Sequence, residues 1–213
     1  MHPPGFLGYG NGMDRSMTAE GSSRAHGTTV LGVRRDGAVA LGADGQVTFG
    51  DIVLKHRARK LRTLAGGSVV AGFAGAVADA LTLFARFESQ LATWEGNLRR
   101  ASVELTKDWR SDRYLRRLEA QLIVADKDSL LVLSGEGDVI EPDDGVVAIG
   151  AGAPFATAAA KALARHTDMP AEEVVRVAMG ITAEICIFTN DMLSVEVVGG
   201  SDGDGEEGDG GEN

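Results

Sequence analysis

Apolar and polar positions along the chain fall into short blocks whose period changes several times. Residues 29–34 and 38–43 are two brief apolar runs with Asp36-Gly37 between them, and Asp-Gly in that setting predicts a β-hairpin. Residues 60–64 and 68–73 flank Gly66-Gly67 and predict a second hairpin. Over 76–91 the period lengthens: Ala80, Leu83, Phe84, Phe87 and Leu91 recur in steps of three and four, the mark of a helix with one buried face. Asn97 is a suitable cap for a following helix through Val103, Leu105 and Trp109. A short helix is expected around 114–120, then strands over 121–125, 129–134 and 146–149, with turns at 126–128 and 135–137. Pro154 in a first turn opens a helix to 166, and Glu172 and Glu173 open another over 171–185. Residues 195–198 return to strand. Strands and helices are grouped rather than strictly alternating, which predicts an α+β fold of antiparallel sheets covered by helices.

Two segments lie outside this pattern. Residues 1–27 hold six glycines and two prolines without periodicity. They lack the basic start and apolar stretch of a secretory signal. They read as a leader or pro-segment that is removed, with Met13 and Met17 as alternative starts. Residues 201–213 hold six acids, five glycines and no base, and so read as a disordered acidic tail. The regular body is a single domain over 28–200. Lys and Arg number 21 against 31 Asp and Glu, a net charge of −10, which disfavours nucleic acid as a partner. No apolar run is long enough to cross a bilayer. The single cysteine, Cys186, excludes an internal disulfide and a multi-cysteine zinc site, and fits a reducing, cytoplasmic setting.

Candidate chemistry is sparse. No H-E-x-x-H, G-x-S-x-G or Walker A motif occurs, and His56 and His166 stand alone as surface histidines. Residues 150–156, GAGAPFA, match a G-x-G-x-x-A dinucleotide fingerprint on paper. The expected second parallel strand ending in an acid is missing, since Asp168 falls between two helices. Thr28-Thr29, taken alone, reads as two strand residues. If the chain is cut after Gly27, however, Thr28 acquires a free α-amino group with a pKa of about 7.7–8.0. That amine can take the proton of its own hydroxyl. Lys60, held by a carboxylate such as Asp44, would favour the neutral amine, and a glycine N–H would serve a developing oxyanion. The plain alternatives are a surface base for Lys60, in the run Arg57, Arg59, Lys60, Arg62, and a turn former for Asp44.

The stretch 28–35, then Gly42-Ala43-Asp44-Gly45-Gln46, Val70-Ala71-Gly72-Phe73-Ala74-Gly75, Ala78-Asp79-Ala80, residues 104–110, Leu118-Glu119-Ala120 and residues 185–190 together resemble the HslV (ClpQ) family. These are proteasome-related, ATP-dependent protease subunits of the N-terminal-nucleophile hydrolase superfamily. The resemblance covers the body and neither tail. It implies a four-layer αββα sandwich and a threonine endopeptidase that degrades unfolded proteins. In that reading Thr28 is the nucleophile, Lys60 the active-site lysine, Asp44 its partner and Gly72 the oxyanion donor. It also implies a monovalent cation, Na⁺, on backbone carbonyls at Ala183, Cys186 and Thr189. The implied assembly is a homo-oligomer of two stacked hexameric rings, fed by a hexameric HslU-type ATPase that binds the nucleotide. A non-catalytic ring subunit that never exposes Thr28 is the alternative. Three departures from the family pattern stand out: Ala151 in place of a serine, Ala183 in place of a glycine, and the long leader.

Overall fold

The computed structural model describes residues 25–26, 28–115, 118 and 120–200, without the side chains of 25, 26 and 77. The expectations for 1–24, 27 and 201–213 fall outside these residues, as do positions 116, 117 and 119 of the helix expected over 114–120. The chain opens with β1 (Ala25–His26), β2 (Thr29–Arg35) and β3 (Ala38–Ala43). At the β2–β3 turn Asp36 has φ 52° and Gly37 φ 75°, the two left-handed residues that a tight hairpin turn requires. A small hairpin, β4 (Val47–Phe49) and β5 (Ile52–Lys55), follows, then β6 (Leu61–Leu64) and β7 (Val69–Gly75) around a 3₁₀ turn at Ala65–Gly67. Helices α1 (Val77–Thr93) and α2 (Leu98–Ser111) come next. The Asn97 side chain caps α2 by accepting from the Arg100 N–H at 3.0 Å.

Strands β8 (Ala120–Ala125), β9 (Leu130–Ser134), β10 (Val139–Ile140) and β11 (Val146–Gly150) lead to helices α3 (Ala153–His166) and α4 (Ala171–Ile185) and the closing strand β12 (Ser194–Gly199). One expectation is corrected. Ala120 does not end a short helix but pairs with Gly75 as the first residue of β8, because a small side chain at that position packs into the core under α1 and α2. The β4–β5 hairpin had no counterpart in the apolar pattern.

The strands form an antiparallel sheet in the order β10-β9-β8-β7-β6 and another in the order β11-β2-β3-β12. A third, smaller sheet runs β1-β4-β5. Successive side chains on a strand point to opposite faces, and this period sorts the core into three seams. On β2, Val30 faces the other sheet while Leu31 and Val33 pack under α3 and α4 with Val174, Val175 and Met179. On β7, Val70 and Ala74 face between the sheets, while Ala71 and Phe73 pack under α1 and α2 with Leu83, Phe87 and Trp109. Helices, sheet, sheet, helices: the fold is a four-layer αββα sandwich.

Every residue of the expected α1 stripe, Ala80, Leu83, Phe84, Phe87 and Leu91, is buried. Phe87→Ala, which empties a fully buried site, is expected to cost about 3–5 kcal/mol. Leu81→Ala on the exposed side of the same helix should cost well under that. Urea unfolding of the two variants checks the difference.

Candidate active site

The two large sheets place residues from distant parts of the sequence at one end of the sandwich. Asp44 follows directly on β3 and is fully buried. Its Oδ1 accepts from the Thr29 N–H and from Lys60 Nζ, each at 2.8 Å, and its Oδ2 accepts from the Gln46 N–H at 2.8 Å. Lys60, just ahead of β6, is only 2% exposed. Both plain alternatives therefore fail on burial: Lys60 is not a surface base, and the Asp44 carboxylate is more than a turn former. Burial pulls the Lys60 ammonium below its ordinary value of 10.5, against the opposing charge and hydrogen bond of Asp44.

Close backbone approach holds the approach to Lys60 in place. Gly45 accepts from the Ala58 N–H at 2.9 Å and donates to Asn190 Oδ1 at 3.0 Å, while Asn190 Nδ2 donates to the His56 carbonyl at 2.9 Å. A Cβ at position 45 would lie 2.3 Å from the His56 oxygen, so only glycine fits there. Gln46 reaches on to the Ile187 carbonyl. Sequence reasoning missed Gln46 and Asn190 as members of this cluster, although both lie in stretches that carried the family resemblance.

Thr28 is nearly buried and lines a cleft of about 420 Å³ together with Lys60. The cleft has an apolar floor that includes Val47, Phe73, Leu81 and Phe84, and further cations at Lys55, Arg59 and Arg62. The Thr28 carbonyl accepts from the Ala151 N–H at 2.9 Å. The Thr29 hydroxyl meets Thr189 Oγ1 at 2.6 Å and accepts from the Gly152 N–H at 2.9 Å. Gly150 has φ +91° and would bring a Cβ within 2.0 Å of the Thr28 oxygen. The glycine loop that imitated a dinucleotide motif thus wraps the Thr28-Thr29 backbone and has no room there for a phosphate.

Gly72 sits in mid-β7, between Leu61 on β6 and Ile123 on β8. A Cβ there would strike Val30 at 2.7 Å. Gly72 stands behind the cleft wall, which its neighbours Phe73 and Gly75 form. Ala183, Cys186 and Thr189 gather at the C-terminal end of α4. Cys186 is the C-cap with extended backbone, and its carbonyl accepts from the Thr189 N–H at 3.0 Å. His56 and His166 are exposed, as expected.

A buried lysine–carboxylate pair beside a threonine, set at the end of two stacked antiparallel sheets between helical layers, is the arrangement of a proteasome-type, N-terminal-nucleophile hydrolase. Residues 25–198 match the proteasome subunit family. The ATP-dependent protease subunit HslV of Pseudothermotoga lettingae is 58% identical over 171 residues, 80% of this chain and 97% of that one. The crystal structure of HslV from Trypanosoma brucei is 46% identical and superposes with a TM-score of 0.77, covering 81% of this chain and 99% of that one. Thiobacillus denitrificans BPH in complex with epoxomicin, at 23% identity and a TM-score of 0.60 over 81% of this chain and 99% of that one, shares the fold. The chain belongs to the proteasome subunit family, on its HslV branch, and is a peptidase subunit of ATP-dependent proteolysis.

Asp44→Asn or Lys60→Met alone is expected to destabilise the fold by about 3–5 kcal/mol, because each strands a buried charge. The double variant should lose less than the sum, a coupling of about 0.5–3 kcal/mol in a double-mutant cycle. With the folded pKa of Lys60 below 10.5, the unfolded chain binds more protons in the interval between the two values. Stability contributed through Lys60 therefore rises with pH across that interval. Denaturant titrations at several alkaline pH values should show this rise, and Lys60→Met should remove it.

Proposed function

We propose that this chain cleaves peptide bonds with the Thr28 hydroxyl, after residues 1–27 are removed and the Thr28 α-amino group is freed. The observation that carries the reading is that Thr28 and the Asp44-paired Lys60 line one cleft. The amine takes the hydroxyl proton as Oγ1 attacks the substrate carbonyl. The cationic Lys60 keeps the amine in its neutral, basic form and attracts the developing negative charge. The resemblance assigns the main-chain N–H that serves the oxyanion to Gly72. Collapse expels the leaving amine, which takes up the proton, and leaves an ester on Thr28. Water then breaks the ester and restores the hydroxyl. Ala151 brings no hydroxyl to this proton path, which leaves the nucleophile, its amine and Lys60 in place.

The resemblance further supports a cation, Na⁺, held by the carbonyls of Ala183, Cys186 and Thr189. The donor set suits it: neutral oxygens at the negative end of α4, with no grouping of three or more acidic, histidine or cysteine side chains among the described residues that would favour a multivalent ion. Bound there, the ion would satisfy helix-end carbonyls and steady Thr189, and through it the Thr29 hydroxyl. The assembly is two stacked six-membered rings enclosing the nucleophiles, served by a hexameric ATPase that delivers unfolded protein, in the cytoplasm. Exposed Ile52, Leu54, Ile185 and Ile187 support burial of further surface between subunits. No helix among the described residues is long and apolar enough to cross a membrane.

Thr28→Ala is expected to lower peptide hydrolysis by about 10³-fold or more while leaving ring assembly intact on size-exclusion chromatography. N-terminal sequencing of active wild-type protein should begin at Thr28. Active material that retains upstream residues would overturn the reading.

A further inference from the structure

Among the described residues, the cleft that holds Thr28 is lined by one sign of charge: besides Lys60 it has Lys55, Arg59 and Arg62, and no aspartate or glutamate. Among the described residues no carboxylate forms a salt bridge with any of these three. Arg62 is the best anchored of them. Its guanidinium lies 5.4 Å from the centre of the Phe84 ring, and Phe84 is itself buried and packed edge-on against Phe73 at 5.6 Å. The two rings and Leu81 provide the apolar floor. A side chain entering the cleft therefore meets an apolar base and a cationic rim in which Arg62 is held by its contact with the Phe84 ring. Two carboxylates, Glu88 and Glu196, line a separate groove that Arg59 and Arg62 also border.

The chain's own course indicates which part of a substrate this is. Ala25 and His26 pair antiparallel with Phe49 and Thr48 of β4, and Val47 of the same strand lines the cleft. Residues 25–26 thus run beside the strand whose Val47 forms part of the cationic cleft. A substrate bound in the same sense places the residue on the amino side of its cleaved bond there.

We propose that Arg62, with Lys55 and Arg59, sets specificity at that position: apolar and acidic side chains are accepted, and lysine and arginine are rejected by like charge over a partly desolvated floor. This rests on the peptidase reading of the same site. Arg62 acts as a specificity residue and takes no part in bond making, so its replacement changes the ranking of substrates rather than the chemistry.

The test uses the assembled, mature protein and three fluorogenic peptides that differ only in the residue before the cleaved bond: leucine, glutamate or lysine. The leucine and glutamate peptides are expected to exceed the lysine peptide in kcat/KM by about tenfold or more. Arg62→Gln should narrow the gap between glutamate and lysine, and Arg62→Glu should reverse it, with the leucine peptide changed least. In parallel, fluorescence anisotropy on Thr28→Ala measures binding of the same peptides and should give the same order of Kd. Equal treatment of glutamate and lysine by the wild type, or a ranking untouched by both Arg62 variants, overturns the proposal. If the wild type cuts none of the peptides, the peptidase reading fails, and the anisotropy order still decides the charge preference.

Discussion

A lysine ammonium shut away from water is tolerable only if a carboxylate goes with it. In this chain the Asp44 carboxylate does more than neutralise Lys60: it also takes the N–H groups of Thr29 and Gln46. Three donors on two oxygens leave little unsatisfied, which is the condition under which a buried ion pair is stable rather than a burden. The same carboxylate ties the start of β2 and the exit of β3 to the segment entering β6. The position of Thr28, one residue before the Thr29 N–H, follows from that link.

Close contacts without side chains complete the site. Gly45 admits the His56 backbone, Gly152 admits the hydroxyls of Thr29 and Thr189, and Gly150 admits the Thr28 carbonyl. Each replaces a Cβ that would collide at under 3 Å. The glycines around the site thus serve as clearance for backbone and hydroxyl groups. A phosphate-binding role for the 150–156 loop fails on the same ground.

Much of the fold was legible because it depends on period. The hairpin at Asp36-Gly37, the α1 stripe and the Asn97 cap all rest on local rules, and the structure has each of them. The β4–β5 hairpin was not legible, because β5 buries none of its residues and so shows no alternation between core and solvent. The end of the helix expected over 114–120 failed at Ala120, where strand pairing with Gly75 overrides alanine's own helix propensity. The site was legible only through family likeness. Thr28, Asp44 and Lys60 are far apart in sequence, and no spacing rule joins residues that two strand ends and a loop bring together.

Chain ends are ordinarily the loosest part of a protein. An end created at Thr28 would be an exception, since the Thr28 carbonyl is held by the Ala151 N–H and the next amide by Asp44. The amine and the threonine side chain follow directly on these two anchors. A terminus of this kind does not fray, so a reactive group placed on it inherits the rigidity of the sheet interior without the sheet having to open.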